Sequence, residues 1–564
     1  MIRSRRLYYL WFALLALATV ALAVGCGVSG QAPAAPTESD STPPADSIGE
    51  ALFLDTRFGE FFAANMVGVN APLPSGDPVV AEVQTLSTPL PGPFAGQAMN
   101  CRSCHFVTEF QGVPGASNRT YSDFTTRSPI PFSQPQPNGF THTPRNAMQM
   151  VDSFTSRSGP LFLHFDGEFA SGEDLVVGTL TGRNFGWTPS QYNQAIAHIA
   201  KVIREDDGSS QLSADRLDGL SYAIIFKGTD PRITPDILLP LAQRLDVSTA
   251  TDMQVLNEIA ICMAQYMKDL LFQRDQFGRY IGAPYDNFVR VNHLPQAPLA
   301  GESKAHYNLR LYQQVAALTN PIYITPKDGS FAYHTHPYQF GALELQGLKI
   351  FLASAAAGTS NAHAGNCAAC HQAPDFSDFV FHNNGVSQEE YDTANGSAAF
   401  MNLFVPDNAM RLSSFDTYLP ASATHPNASE AFRHAADASN PAYADLGLWN
   451  VYLNPDIPHP QANLKGFVCA SGKDCSVDQG LASTVAQFKT PVLRDLEDSA
   501  PYFHNGSAPK FNDVVNHYIR MSQLAHAGAM RNAPREFANM SLSQDDLAAL
   551  VAFLQSLTED YDDA

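Results

Sequence analysis

Two short segments of this sequence carry the residue types for covalent haem attachment, Cys101-Arg-Ser-Cys104-His105 and Cys367-Ala-Ala-Cys370-His371. A pair of thiols at this spacing reaches the two vinyl groups on adjacent edges of a porphyrin. The histidine that follows turns its imidazole to the iron, and one turn of helix does both. A Cys-x-x-Cys pair also suits a zinc site or a redox dithiol. No spare Cys-x-x-Cys pair is present to complete a zinc set. Two matches with similar flanks therefore point to two covalently bound haems c, with His105 and His371 as proximal ligands.

The chain has eight cysteines. Four belong to these motifs. Cys26 follows Ala23-Val24-Gly25, which resembles a lipobox. It comes after a basic start (Arg3, Arg5, Arg6) and an apolar run from Leu7 to Gly25. Residues 1–26 thus read as a lipoprotein signal peptide with Cys26 as the lipidated residue, and an uncleaved membrane anchor is the alternative. Cys469 and Cys475 lie close together in a polar loop and suit a local disulfide in an oxidising compartment. Cys262 falls on an apolar helical face, as a buried inert thiol does. The expected location is the periplasm or outer surface of a bacterium, on a lipid anchor.

Of the 564 residues, 45% are apolar and 16% charged, a globular composition. The formal net charge of -21 excludes a nucleic-acid binder of the usual basic kind and leaves plain solubility or the steering of basic partners.

What must position the two motifs is a repeated frame. Each half has an apolar helical lead-in, a haem motif, long loops rich in Pro and Gly, and a closing amphipathic helix. The lead-ins are Ala51 to Phe58 and Leu343 to Phe351. The first closing helix is predicted over Asp252 to Phe272, with Val255, Ile259, Met263, Tyr266 and Leu270 on one face. The second is predicted over Ser543 to Leu557, with Ser543 and Asp546 as a capping box. Residues 27–46, rich in Ala, Pro, Ser and Thr, read as a disordered tether, with ordered structure from about Ile48. The fold class is mainly α. Two cytochrome c-like domains, 47–300 and 301–564, each wrap one haem c, with long irregular loops.

Around the second haem motif the sequence reads Asn366-Cys-Ala-Ala-Cys-His371, then Phe381-His-Asn-Asn-Gly385. Phe488-Lys-Thr-Pro-Val-Leu-Arg494 and Ala500-Pro-Tyr-Phe-His-Asn-Gly506 follow. Together with Leu52-Phe-Leu-Asp55, Arg145-Asn146 and Leu163-His-Phe-Asp-Gly167, these resemble the bacterial di-haem cytochrome c peroxidase superfamily, which includes the MauG-type enzymes. The resemblance implies that peroxide reacts at the N-terminal haem and that the C-terminal haem relays electrons. It also implies a calcium ion between them, held here by Asn146 and the carbonyls of Ser499 and Pro501. His504 matches a motif histidine near the second haem, read as a core residue beside the cofactor. The sixth ligand of that haem falls on Tyr518, where peroxidases of the family usually carry Met and MauG-type members Tyr. Met521 is the alternative, and His517 is structural.

The first haem departs from the family pattern. Phe165, preceded by His164, stands where the family has a Trp between the haems, and its distal Glu has no clear counterpart. His142 and His164 are candidates for the distal side of an otherwise open first haem. The pair His334 and His336 reads as a solvated loop.

The function implied is peroxide reduction at the first haem, with electrons from a small donor such as a cytochrome c or cupredoxin. His105, His164 and Phe165 are then the residues nearest the chemistry. Two alternatives share the scaffold: oxidation of an organic or protein substrate, and a non-catalytic electron-transfer lipoprotein.

Overall fold

The structure, a computed structural model, describes residues 43–77, 98–105, 136, 138–155, 157, 159–327, 331, 336–354, 363–468 and 475–559. The expected signal peptide with Cys26, the expected tether up to residue 42, His334 and Cys469 lie outside them. Cys475 is disulfide-bonded. No helix among the described residues is long and apolar enough to cross a membrane.

The first half is built on α1 (Pro44–Leu54), α2 (Gly172–Leu180), α3 (Tyr192–Glu205) and α4 (Asp252–Asp269). The first three all pack on α4. Helix α1 starts at Pro44, earlier than the expected Ile48, because a proline at the first helical position lacks only an N–H that has no partner there. Thr251 and Gln254 cap α4 reciprocally, at 3.2 and 2.9 Å. Val255, Ile259 and Met263 face the core with Ile48, Leu52 and Ile199. The helix ends at Asp269 rather than Phe272. Beyond it the chain is extended, and Phe272 turns into a separate cluster with Val151, Tyr280, Phe379 and Val492.

The second half repeats the frame with α5 (Ala342–Leu352), α6 (Phe511–His526) and α7 (Leu547–Gln555). Helix α5 packs along α7, and α6 packs against α7 as well. The predicted capping box is present ahead of α7, where Ser543 N–H donates to Asp546 at 2.8 Å. Tyr285 and Phe288 already belong to this second core, so it begins before the expected boundary at 300.

A third core was not anticipated. Phe162 meets Phe381, Phe400, Phe432, Trp449 and Leu464 in a body formed by the chain between His382 and Phe488. Its base is closed by a two-stranded antiparallel ladder, β1 (Phe381–His382) with β2 (Phe488–Lys489), the only sheet among the described residues. The molecule is otherwise helix and irregular loop, in line with the mainly α expectation.

Both helix pairs use the same close approach. A Cβ on Gly49 of α1 would overlap the carbonyl oxygen of Cys262 in α4, and one on Gly347 of α5 would overlap that of Ala549 in α7. Gly49→Ala and Gly347→Ala are each expected to cost roughly 1–3 kcal/mol through overpacking. Thermal melts should show a lowered midpoint for both. An unchanged midpoint would mean that the helices separate without penalty.

Candidate functional site

Each haem motif forms a single 3-10 turn, Cys101–Ser103 and Cys367–Ala369, packed against its lead-in helix. An asparagine anchors each turn. Asn100 donates from Nδ2 to the carbonyl of Leu54 at 2.9 Å, at the end of α1. Asn366, in the left-handed region at φ 50°, donates its N–H to the carbonyl of Ala353 at 2.8 Å, at the end of α5. Burial pushes the thiols of Cys101 and Cys367 up to about 12, so both are neutral.

Cys367, Cys370 and His371 open on a large, mainly apolar cavity whose walls include Phe351, Val514, Val515, Tyr518 and Leu554. His371 donates from Nδ1 to the carbonyl of Phe376 at 3.0 Å, which leaves the lone pair on Nε2. Burial lowers its pKa to about 4 and keeps the imidazole neutral, the form that binds a metal. Tyr518 lines this cavity from α6. Burial, with the two thiols beside it, raises its phenol above the usual range. Met521, the alternative, does not line the cavity. It packs with Met530, Phe537 and Met540 against Gly385. His504 lines the cavity and stacks on Phe488 at 3.6 Å. His517 bonds Glu389 and the carbonyl of Asn384 and faces away. An apolar slot that brings two thiols, one neutral imidazole and a phenol together fits a covalently held porphyrin.

Cys104 and His105 open on a second, more polar cavity. His164, Phe165 and Glu168 form one wall, and the stretch from Val177 to Trp187 another. A third wall comes from the central body: Ala421 to Thr424, Glu430, Arg433 and Asp456 to His459. Residues from the second half of the sequence therefore line the pocket of the first motif. This too fits a porphyrin held at Cys104 with its iron toward His105. His142 is exposed, bonds the neighbouring Thr141 at 2.9 Å and lines neither cavity. The side chain of His142 is therefore not at the first cavity, although Thr143 and Pro144 next to it line that cavity.

The polar side of this cavity is an ion network. Arg145 grips Asp445 with two bonds of 2.6 and 2.8 Å and Asp166 with one of 2.5 Å. Arg433 bridges Asp166 at 3.1 Å and Glu168 at 2.5 Å. Nδ1 of His164 lies 3.2 Å from Glu168. Burial pushes Glu168 up, but Arg433 and His164 overcome it and hold the carboxyl well below its usual range. The ligand atoms of His164, Asp166 and Glu168 lie within 4.8 Å of one another. Arg433 already sits on both carboxylates, so the cluster is closed by a guanidinium and not open to a cation. Glu168 and Arg433 went unread in the sequence. The alternation His164, Asp166, Glu168 was a local signal for the first, but nothing local marks Arg433, 265 residues away.

Asn146, Ala147, Met148 and Phe165 line both cavities and form the wall between them. The Phe165 ring lies 6.3 Å from that of His504. Asn146 donates from Nδ2 to the carbonyl of Pro501 at 2.6 Å, across 355 residues of sequence, while its Oδ1 is buried with no partner. Ser499 lines the same cavity. An unpartnered amide oxygen beside backbone carbonyls is the donor type a hard cation takes.

No family model matches the chain. It is 27% identical over 199 residues to cytochrome-c peroxidase IdrP2 of Denitromonas iodatirespirans, covering 34% of this chain and 36% of that protein. It is 33% identical over 86 residues to the methylamine utilization protein MauG of Methylophilus methylotrophus, covering 15% and 24%. The matches thus span about a third or less of these relatives' length. Among solved structures, the diheme peroxidase BthA from Burkholderia thailandensis is similar at a TM-score of 0.41 and 16% identity, covering 92% of this chain and 86% of that one. Over these partial stretches the chain is similar to proteins named cytochrome-c peroxidase and MauG.

Proposed function

We propose that this protein is a di-haem c oxidoreductase that reduces hydrogen peroxide at the haem held by Cys101, Cys104 and His105. Electrons reach that site through the haem held by Cys367, Cys370 and His371, from a small donor protein such as a cytochrome c or cupredoxin. The observation that carries the reading is the shared wall: each haem motif opens on its own cavity, and Asn146 to Met148 with Phe165 line both. When bound, the haems supply one-electron chemistry and an iron that peroxide can reach.

The chain's own groups set the rest. With Nδ1 of His164 donating to Glu168, Nε2 is left as the proton acceptor facing the first cavity. Glu168, kept ionised by Arg433, is too weak a base to take that proton and instead orients the ring. His164 is thus the base that takes the peroxide proton. Calcium is proposed between the cavities, on Asn146 and the carbonyls of Ser499 and Pro501, where it would pin the loop after the first motif to the segment ahead of α6. Membrane attachment at Cys26 belongs to the same reading.

Tyr518 favours a second reading, MauG-like oxidation of an organic or protein substrate, because a phenolate ligand stabilises oxidised iron whereas a thioether favours reduced iron.

Mass spectrometry of the mature protein should show two haem additions, and one in a Cys367→Ala/Cys370→Ala variant. A single addition in the wild type would end the di-haem reading. His164→Leu should lower kcat/KM for peroxide by about 100-fold, the usual worth of a positioned base, with both haems retained. A rate equal to wild type would remove His164 from the chemistry. Tyr518→Met should raise the reduction potential of the second haem. If Met521→Ala changes that potential and Tyr518→Met does not, the ligand is Met521.

A further inference from the structure

The cavity of the second motif is apolar over most of its surface but carries, along one wall, hydrogen-bond donors that lack acceptors. Lys489 on β2 lines it and is buried at 6% exposure. Its Nζ meets a single acceptor, the carbonyl of Phe162 at 2.9 Å. Arg157 stands beside the same wall. Its guanidinium lies over the ring of Phe379, a lining residue, at 3.9 Å, and its Nη2 donates to the carbonyl of Ser153, another lining residue, at 2.6 Å. Nε of Arg157 donates to the carbonyl of Thr155 at 3.2 Å, and Nη1 is buried with no partner. Gln149, on the same stretch of chain, lines the cavity and has a buried Nε2 with no partner.

Lys489 and Gln149 face this region with Arg157 beside it, and each nearby carboxylate has at least one oxygen held by another cation. Asp166 is held by Arg145 and Arg433, Asp375 by Lys304 and Tyr280, and Asp152 by Arg274 and Tyr280. Burial, reinforced by Arg157, lowers the Lys489 ammonium to about 7. Asp152 and Asp375 act on Arg157, and Asp166 on Lys489, only from a distance, and the buried donors of Arg157 and Gln149 still lack acceptors, so this wall suits an anion. A porphyrin matches the division of the surface: a flat apolar body with two carboxylates on one edge.

We propose that Arg157, Lys489 and Gln149 bind the two carboxylates of the porphyrin attached at Cys367 and Cys370, and that their charge sets its reduction potential. The proposal rests on the di-haem reading above. Removing a positive charge next to the cofactor favours the more positive, oxidised iron, so the potential must fall.

The test uses the full-length holoprotein. Lys489→Met and Arg157→Leu should each lower the potential of the second haem, and the double variant should lower it further. The charge-keeping variants Lys489→Arg and Arg157→Lys should return it toward wild type. The carboxylate-bending band of that haem in the resonance Raman spectrum should shift in the charge-removing variants and in Gln149→Leu. Adding phosphate at constant ionic strength should leave the wild-type potential unchanged. A potential that moves with phosphate means that the wall binds a free anion and overturns the proposal. Unshifted potentials and bands in variants that carry both haems overturn it as well, while leaving the di-haem reading intact. A wild type with no haem at Cys367 and Cys370 overturns both.

Discussion

The arrangement of the two cavities rests on one buried contact, the fork of Arg145 on Asp445 closed from the other side by Asp166. Arg145 is 8% exposed, and the side chains of Asp166 and Asp445 are 0% and 1% exposed, so no water screens these charges. A buried ion pair of this kind adds little net stability, but breaking it by removing one partner costs about 3–5 kcal/mol. Its worth is in geometry. It ties three stretches remote in sequence, the loop after the first haem motif, the Phe165-Asp166-Gly167 turn and the central body, into one wall. Arg433 extends the same network to Glu168 and His164, so the pocket of the first motif cannot take shape until the central body has docked.

The two cavities are unlike, and the contrast follows from what lines them. The second is walled mainly by helix faces and loop aromatics, which keep a charged or hydrated ligand out except along the edge carried by Lys489. The first is walled by helix α2 and by irregular chain, and the side chains of its polar wall are held by ion pairs. A slot of the first kind suits a cofactor closed on both sides. A pocket of the second kind admits water and small polar molecules. Phe165 separates them with a ring that is harder to oxidise than indole, so the wall insulates more than a tryptophan would.

Much of the frame was legible in the sequence because its signals are local. The haem motifs span five residues each, and the helix stripes at Val255, Ile259 and Met263 or at Leu550 and Leu554 repeat within a few turns. Tyr518 lines the cavity together with Val514 and Val515, which share its helix face by the same periodicity. What could not be read depends on contacts between distant segments. The core around Trp449 and Phe432 has no regular period, because short helices and bends supply its residues. His142 and His164 are equivalent as candidate ligands in the sequence, and only the fold separates them, with His164 lining the first cavity and His142 exposed. The anchoring asparagines were within reach, since Asn100 and Asn366 occupy the same place before each motif.

The order of the helices has a consequence for biogenesis. Each haem motif is synthesised long before the helix that completes its core: residues 101–105 precede α4 at 252, and residues 367–371 precede α7 at 547. The thiols that end up inside a core thus pass through an interval, as the chain emerges, in which nothing covers them. Within that interval a cofactor meets open chain, because α1 and α5 close on their partner helices at Gly49 and Gly347 only once those later helices exist. The timing of chain emergence, and not only the final fold, then decides whether the protein matures.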